Sequence, residues 1–294
     1  MRLTDDDIAV IRHVAAHRFL RSTHIVSLLR RPNKKVLERL SALYHNGYLD
    51  RPRAQLDYYA TAGSAPLVYA LGNKGAALLA EQDGTSFPKV DWTWKNRDAG
   101  RVFIEHTLLV ADLMVAIETA VHRVGNIALI GAVDILKAAP TSTQNAKNPW
   151  ALPARIVHGG MHYDLSLIPD KIFGLDYLDL RKRSYFFVEA DRGTMPVTRS
   201  HPRQTSFQQK ILGYLAGSRP VNTHAQHFGI GNFRVLTVTT TRERIATMVA
   251  ALKAVTNGTG SNQFLFVDRP SLLASSDVLS LDWTSGKNEA VLCA

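Results

Sequence analysis

The 294-residue sequence contains a single cysteine, Cys293, one residue from its end. A lone thiol excludes an intramolecular disulfide framework and a multi-cysteine zinc site, and it fits a reducing, cytoplasmic setting. Long apolar runs are also missing. None approaches the roughly 18 residues a membrane span needs, and the opening Met1-Arg2-Leu3-Thr4-Asp5-Asp6-Asp7 is acidic, so neither a transmembrane helix nor a signal peptide is expected. There is no Walker-type phosphate loop, dinucleotide fingerprint or nucleophile-elbow serine, which leaves nucleotide-driven and acyl-transfer chemistry without a basis. The 46% hydrophobic and 20% charged residues are those of a folded chain, and the length favours two domains.

Positive charge is what the sequence has in excess. With 35 Lys and Arg against 25 Asp and Glu, the net charge of +10 favours an anionic partner, nucleic acid first, because such a field speeds encounter with polyanions. The alternative is a solvated basic surface, so position matters. Residues 1–60 hold eleven Lys or Arg and six Asp or Glu.

That basic segment is patterned as helices. Thr4 with Asp7 has the form of a capping box, and Ile8, Ile11, Val14 and Ala15 recur at helical spacing to about His17. Ser22 or Thr23 is placed to cap a second helix through Leu29, which stops at Arg30-Arg31-Pro32. From Asn33 to Asn46 a third helix puts Val36, Leu40, Leu43 and Tyr44 on one stripe, and Gly47 breaks it. Residues 48–51 and 67–71 read as strands flanking a polar loop, and Asn73 caps a fourth helix to about Glu81. This order predicts a winged helix-turn-helix over residues 1–85, in which the third helix enters the major groove of double-stranded DNA and the wing lies over the backbone. The expected DNA contacts are Arg30, Arg31, Asn33, Lys34, Lys35 and Arg39, with Arg51 and Arg53 reaching from the wing. Such a module can also serve protein contacts alone.

A connector at 86–97, carrying Pro88 and the Trp92/Trp94 pair, leads to an α/β (α+β) domain over 98–294. A long helix from about Asp98 to His122 presents Phe103, Thr107, Val110, Met114, Ile117 and Val121 on one face, with Glu105, His106 and Asp112 off it. Next come a strand at 127–135, a surface loop at 137–148, strands at 161–169, 172–180 and 185–191, a helix at 204–215, a strand at 233–239, a helix at 242–255 and a strand at 264–267. Tyr185, Phe187, Glu189 and Asp191 share one strand face. If 172–180 pairs antiparallel with 185–191, Asp170, Glu189 and Asp191 meet. Carboxylates gathered in this way need a divalent cation or neighbouring Lys or Arg, and Mg²⁺ or Mn²⁺ held by these three can activate water for phosphodiester hydrolysis.

Pro169-Asp170, Glu189-x-Asp191 and the order strand, hairpin, strand, helix resemble the PD-(D/E)xK restriction-endonuclease-like core, a mixed-sheet domain. More specifically, the chain resembles the replication-relaxation family of plasmids and integrative elements. The resemblance rests on residues 68–75 (VYALGNKG), 105–108 (EHTL), Pro169-Asp170, 187–194 (FVEADRGT), Lys210 with Tyr214, and 233–239 (FRVLTVT), in order along nearly the whole chain. It implies a bacterial protein associated with nucleoid or plasmid DNA, acting in replication, relaxation, transfer or their control, with other replication or transfer proteins of the element as partners. A homodimer is the default for paired half-sites. One departure stands out: active nucleases of this class carry Lys where this sequence has Asp191. Either the domain is a degenerate scaffold, or Lys210 supplies the ammonium and Glu105 completes an acidic set, giving a metal-dependent nuclease.

Other clusters carry less. Tyr58-Tyr59 offers a relaxase-type nucleophile, but His224 and His227 are not set in the apolar strand context a relaxase metal site requires. His106 reads as a structural helix residue, and His162 with Asp164 as solvent-facing. The turn Arg181-Lys182-Arg183 is either a solvated hairpin tip or a rest for a phosphate backbone.

Overall fold

The structure is a computed structural model that describes residues 1–58, 66–84, 90–158, 160–201, 204–218 and 221–292. Tyr59 and Cys293 lie outside the described residues. The chain divides into two compact units, Met1–Val115 and Ala116–Ala294, and the division falls inside a long helix.

The first unit runs α1 (Asp5–His17), β1 (Phe19–Arg21), α2 (Ser22–Leu29), α3 (Asn33–His45), β2 (Leu49–Asp50), a 3-10 turn (Arg53–Tyr58), β3 (Val68–Leu71), α4 (Asn73–Asp83), α5 (Trp92–Arg97) and the start of α6 (Arg101–Val124). The capping box at α1 is present: Thr4 N–H donates to Asp7 Oδ2 at 2.8 Å, and Asp7 N–H to Thr4 Oγ1 at 3.3 Å. β1, β3 and β2 form an antiparallel sheet in that order. Ile11, Val14, Leu20, Ile25, Leu40 and Leu43 are fully buried together, each contributing about 1.5–3 kcal/mol relative to exposure.

Two expected caps are corrected. Arg21, in extended backbone, is the N-cap of α2, and Gly72 is that of α4. Asn73 instead fastens α5: its Oδ1 accepts from Trp92 N–H at 2.7 Å and its Nδ2 donates to Asp91 at 2.9 Å. Glycine is needed at 72 and 75 for closeness. A Cβ at either would sit well inside 3.0 Å of the backbone at Gly47 or Tyr48. The packing face expected for α6 holds at Met114, Ile117 and Val121, which are buried, but shifts in the first half of the helix. Ile104, Leu108, Leu109 and Ala111 are buried, Phe103 is 50% exposed, and Asp112 is buried because Arg21 and His24 pair with it.

In the second unit come β4 (Ile127–Ile130), α7 (Ala132–Ala138), α8 (Thr141–Gln144), β5 (Leu152–His158), β6 (Met161–Leu167), β7 (Lys171–Tyr177), β8 (Lys182–Ala190), α9 (Phe207–Ala216), α10 (Thr223–Phe228), β9 (Arg234–Thr239), α11 (Arg242–Val255), β10 (Phe264–Asp268), α12 (Arg269–Ala274), β11 (Asp282–Ser285) and β12 (Ala290–Leu292). The expected mixed sheet is there, in the order β12-β11-β10-β9-β8-β7-β4. β8, β9 and β10 are parallel neighbours, and the remaining pairs are antiparallel. β5 and β6 pair as a separate two-stranded ribbon. Phe187, Val235, Phe264 and Phe266 meet Ile211, Tyr214, Met248 and Leu252 from α9 and α11 in the main core.

Three local expectations are corrected. The strand foreseen at 127–135 stops at Ile130 because Gly131 caps α7, which then buries Ile135. The foreseen loop at 137–148 contains α8. His224 and His227 lie on α10 and not in a loop.

Candidate functional site

The antiparallel pairing of β7 with β8 sets Lys171 opposite Val188 and places Asp170 beside the end of β8. Asp170 N–H donates to Val188 O at 3.0 Å, and its Oδ2 accepts from Ala190 N–H at 2.8 Å. Glu189 faces α9, which starts at the Ser206 cap and carries Lys210 and Tyr214 one turn apart on a single face. Tyr214 Oη donates to Glu189 Oε1 at 2.6 Å, and Lys210 Nζ donates to Glu189 Oε2. The carboxylate is 2% exposed. Opposite it on β9 stands Thr237, whose buried Oγ1 has no hydrogen-bond partner among the described residues.

Burial pushes the Glu189 carboxyl up to about 7; the Lys210 charge opposes this and Asp170 adds to it. Burial alone would lower Lys210, but Glu189 and Asp170 outweigh it and hold the ammonium above the ordinary lysine value. The Tyr214 phenol is raised, by burial first and then by Glu189. The arrangement is a buried acid close to neutrality whose proton affinity responds to an adjacent fixed cation.

Asp191 is anchored separately. Its carboxylate accepts from Arg244 Nε and a terminal guanidinium nitrogen, both at 2.9 Å, from Thr239 Oγ1 at 2.7 Å and from Gly193 N–H at 3.2 Å. Both Glu189 oxygens are committed to α9 and both Asp191 oxygens to α11. Among the described residues, these carboxylates with Asp170 do not bring one oxygen each within 4.8 Å of one another. In this arrangement they do not fit a divalent cation, since Lys210 and Arg244 already neutralise them. Glu105 belongs to the first unit, where Arg101 pairs with it at 3.0 Å. His224 and His227 hydrogen-bond main-chain carbonyls of Gly217, Gly231 and Pro149. His162 and Asp164 are exposed.

In the first unit, α3 buries Val36, Leu40 and Leu43 and exposes Asn33, Lys34, Lys35, Leu37 and Glu38. Arg30, left-handed at the end of α2, is exposed as well. Arg31 pairs with Asp6 at 3.0 Å. Arg39 spans α3 and α1, its Nε 2.8 Å from Asp7 Oδ1; Asp7 is buried, which raises its carboxyl, but Arg39 and the Thr4 cap hold it below the usual range. Arg51 lies over the Tyr44 ring at 4.2 Å and donates to Tyr69 Oη at 3.1 Å, whereas Arg53 is exposed. Arg244, Thr239, and the Arg21–His24–Asp112 cluster escape sequence reasoning. Their partners are 48 or more residues away, except the Arg21–His24 contact inside one helical turn.

A two-unit mixed α/β protein results, with a basic helix displayed on the first unit and a buried carboxyl–ammonium–phenol cluster at the end of a central strand in the second. The chain belongs to the replication-relaxation family, whose model matches residues 11–227. The match takes in α3 and the Glu189–Lys210–Tyr214 cluster and ends at α10. No curated protein and no solved structure matches the chain. Among the described residues no helix is long and apolar enough to cross a membrane.

Proposed function

We propose that this protein is a sequence-specific double-stranded-DNA-binding protein of a plasmid or integrative element, serving replication or transfer as a regulator or accessory factor. The observation that carries this reading is the outward face of α3. Asn33, Lys34 and Leu37 stand exposed over an anchored inner stripe, and Leu37, 41% exposed, is an apolar residue of the kind that meets a thymine methyl group. The order α1, β1, α2, α3, then β2 paired with β3, supports a winged helix with α3 in the major groove. Lys34, Lys35 and Arg30 are the backbone contacts, Arg53 reaches from the wing, and Arg31 and Arg39 chiefly fix α3 on α1 through Asp6 and Asp7.

The second unit fits a restriction-endonuclease-like core: β4, β7 and β8 as a meander, then α9, then β9 parallel to β8. The engaged oxygens of Glu189 and Asp191 favour a scaffold for DNA or protein contacts over hydrolysis. The opposing reading, a metal-dependent nuclease built on Asp170, Glu189 and Lys210, draws on the meeting of Glu189 with Lys210.

One experiment addresses both. The full chain is incubated with supercoiled plasmid carrying its own upstream region in Mg²⁺, Mn²⁺ or EDTA, and mobility shift and nicking are read together. A metal-independent shift without nicking is expected. In the double variant Lys34→Glu, Lys35→Glu the salt slope should become shallower by about 0.9 for each phosphate that is no longer neutralised. A shift that survives the double variant unaltered removes α3 from the interface. Nicking that disappears in EDTA and in Asp170→Ala establishes the nuclease.

A further inference from the structure

The amino-terminal end of the parallel strands, away from Glu189, carries a second feature that the α3 reading leaves unused. A cleft of about 500 Å³ opens there, within the size range of small-molecule sites. It is lined by Lys182 and Tyr185 of β8, Asn232 and Arg234 at the start of β9, and Asn262 and Gln263 before β10. Lys182 and Glu189 are seven residues apart on one strand, so the two sites lie about 23 Å from each other. The cleft and the buried cluster are distinct.

The lining chemistry is selective. Among the described residues no acidic side chain lines it, whereas the smaller cavities beside α3 and beside α12 contain Asp6 with Asp7 and Asp268 with Asp282. Lys182 and Arg234 are exposed cations in the lining, and one terminal guanidinium nitrogen of Arg234 also donates to Leu292 O at 3.3 Å. The adjacent turn adds Arg181, exposed and left-handed at φ 49°, and Arg183, which Asp176 holds at 2.9 Å. Asn232 and Asn262 are exposed carboxamides, and Gln263 is fixed by Ser218, whose Oγ accepts from Gln263 Nε2 at 2.9 Å. Tyr185 is half-buried, its ring against Gly174, where even a Cβ would come within 3.0 Å of the ring. The site therefore combines cations suited to phosphates, exposed Asn232 and Asn262 amides that can donate and accept along a base edge, and a half-buried aromatic ring in its wall, packed on Gly174 and the main core.

We infer that this cleft takes a segment of single-stranded DNA, with phosphates on Lys182 and Arg234 and a base against Tyr185 and the amides. Duplex DNA is a poor fit because its bases are already stacked and paired. An acidic peptide would use the cations and could pair its main chain with Asn232 and Asn262, but it offers the aromatic ring no base to stack on. A protein that holds duplex DNA through one unit and an unpaired strand through the other suits an origin or transfer site where strands separate.

The test uses the full chain and a fluorescein-labelled oligothymidine of about ten nucleotides, within the range one such groove occupies, followed by anisotropy across a salt series. In Lys182→Glu, Arg234→Glu, both exposed positions, binding should weaken roughly tenfold or more, and the salt slope should become shallower by about 1.4, at about 0.7 per single-strand phosphate neutralised. The duplex shift should stay as in the parent. Asn262→Ala, a milder change, should weaken the oligonucleotide without altering the slope. Failure of the parent to bind the oligonucleotide, or an unchanged slope in the double variant, overturns the inference. So does polyglutamate that displaces the probe as well as unlabelled oligothymidine does. Retained single-strand binding with no duplex shift would instead refute the α3 reading and leave this one standing.

Discussion

Replacing Glu189 by Gln tests the balance of burial and charge at the buried cluster. The ordinary glutamate value is 4.5, and in the fold burial lifts Glu189 to about 7 despite Lys210. Between those values the unfolded chain has released the proton and the folded chain still holds it. The folded state therefore binds more protons, and stability falls as pH rises. At about 1.4 kcal/mol per pH unit, the interval amounts to about 3 kcal/mol of stability, fully present below pH 4.5 and lost as pH rises through 7. Urea unfolding from pH 4 to 8 should be followed by tryptophan fluorescence in a Trp92→Phe, Trp94→Phe background, so that Trp150 and the buried Trp283 report the second unit. The difference between parent and Glu189→Gln cancels the titrations the two proteins share and leaves Glu189 with the groups its charge acts on, chiefly Lys210. That difference should move against the parent by about 3 kcal/mol across the window. A flat difference, or one moving in the parent's favour as pH rises, would mean that Lys210 outweighs burial and that Glu189 is an ordinary ion-paired carboxylate.

Asp112→Ala leaves Arg21 and His24 without their buried partner and should cost the first unit about 3 kcal/mol, read as a lower urea midpoint. Gly75→Ala drives a Cβ into Tyr48 O, with Leu71 Cδ1 at 3.0 Å and Ile11 Cγ2 at 3.2 Å, and should lower stability by about 2–3 kcal/mol in thermal unfolding. Asp191→Lys places two cations together at Arg244 and should cost about 3–5 kcal/mol without producing plasmid nicking. Adding Arg244→Glu should recover part of that stability, and an additive double mutant would show that the pair does not act as a unit.

What the sequence makes legible is what neighbouring residues decide. The Thr4–Asp7 box, the α3 stripe, the α11 span and the β7–β8 pairing depend on spacings of a few residues, and each is found in the structure. Helical periodicity misplaces Asp112 because it sorts residues by polarity, whereas the burial of this carboxylate is decided by Arg21 and His24, about 90 residues earlier. Gly131 has the same effect in reverse: an apolar run looks like one long strand until a glycine caps the helix within it. The cluster at β8 joins both lessons. A motif reading looks for lysine two residues after Glu189 and finds Asp191, which suggests a lost function. In three dimensions the ammonium next to Glu189 comes from α9, and Asp191 has its own guanidinium from α11. Each buried carboxylate is thus neutralised by a different helix. The physical requirement at that strand end is charge compensation, which fixes the number of cations but not the chain position from which they come.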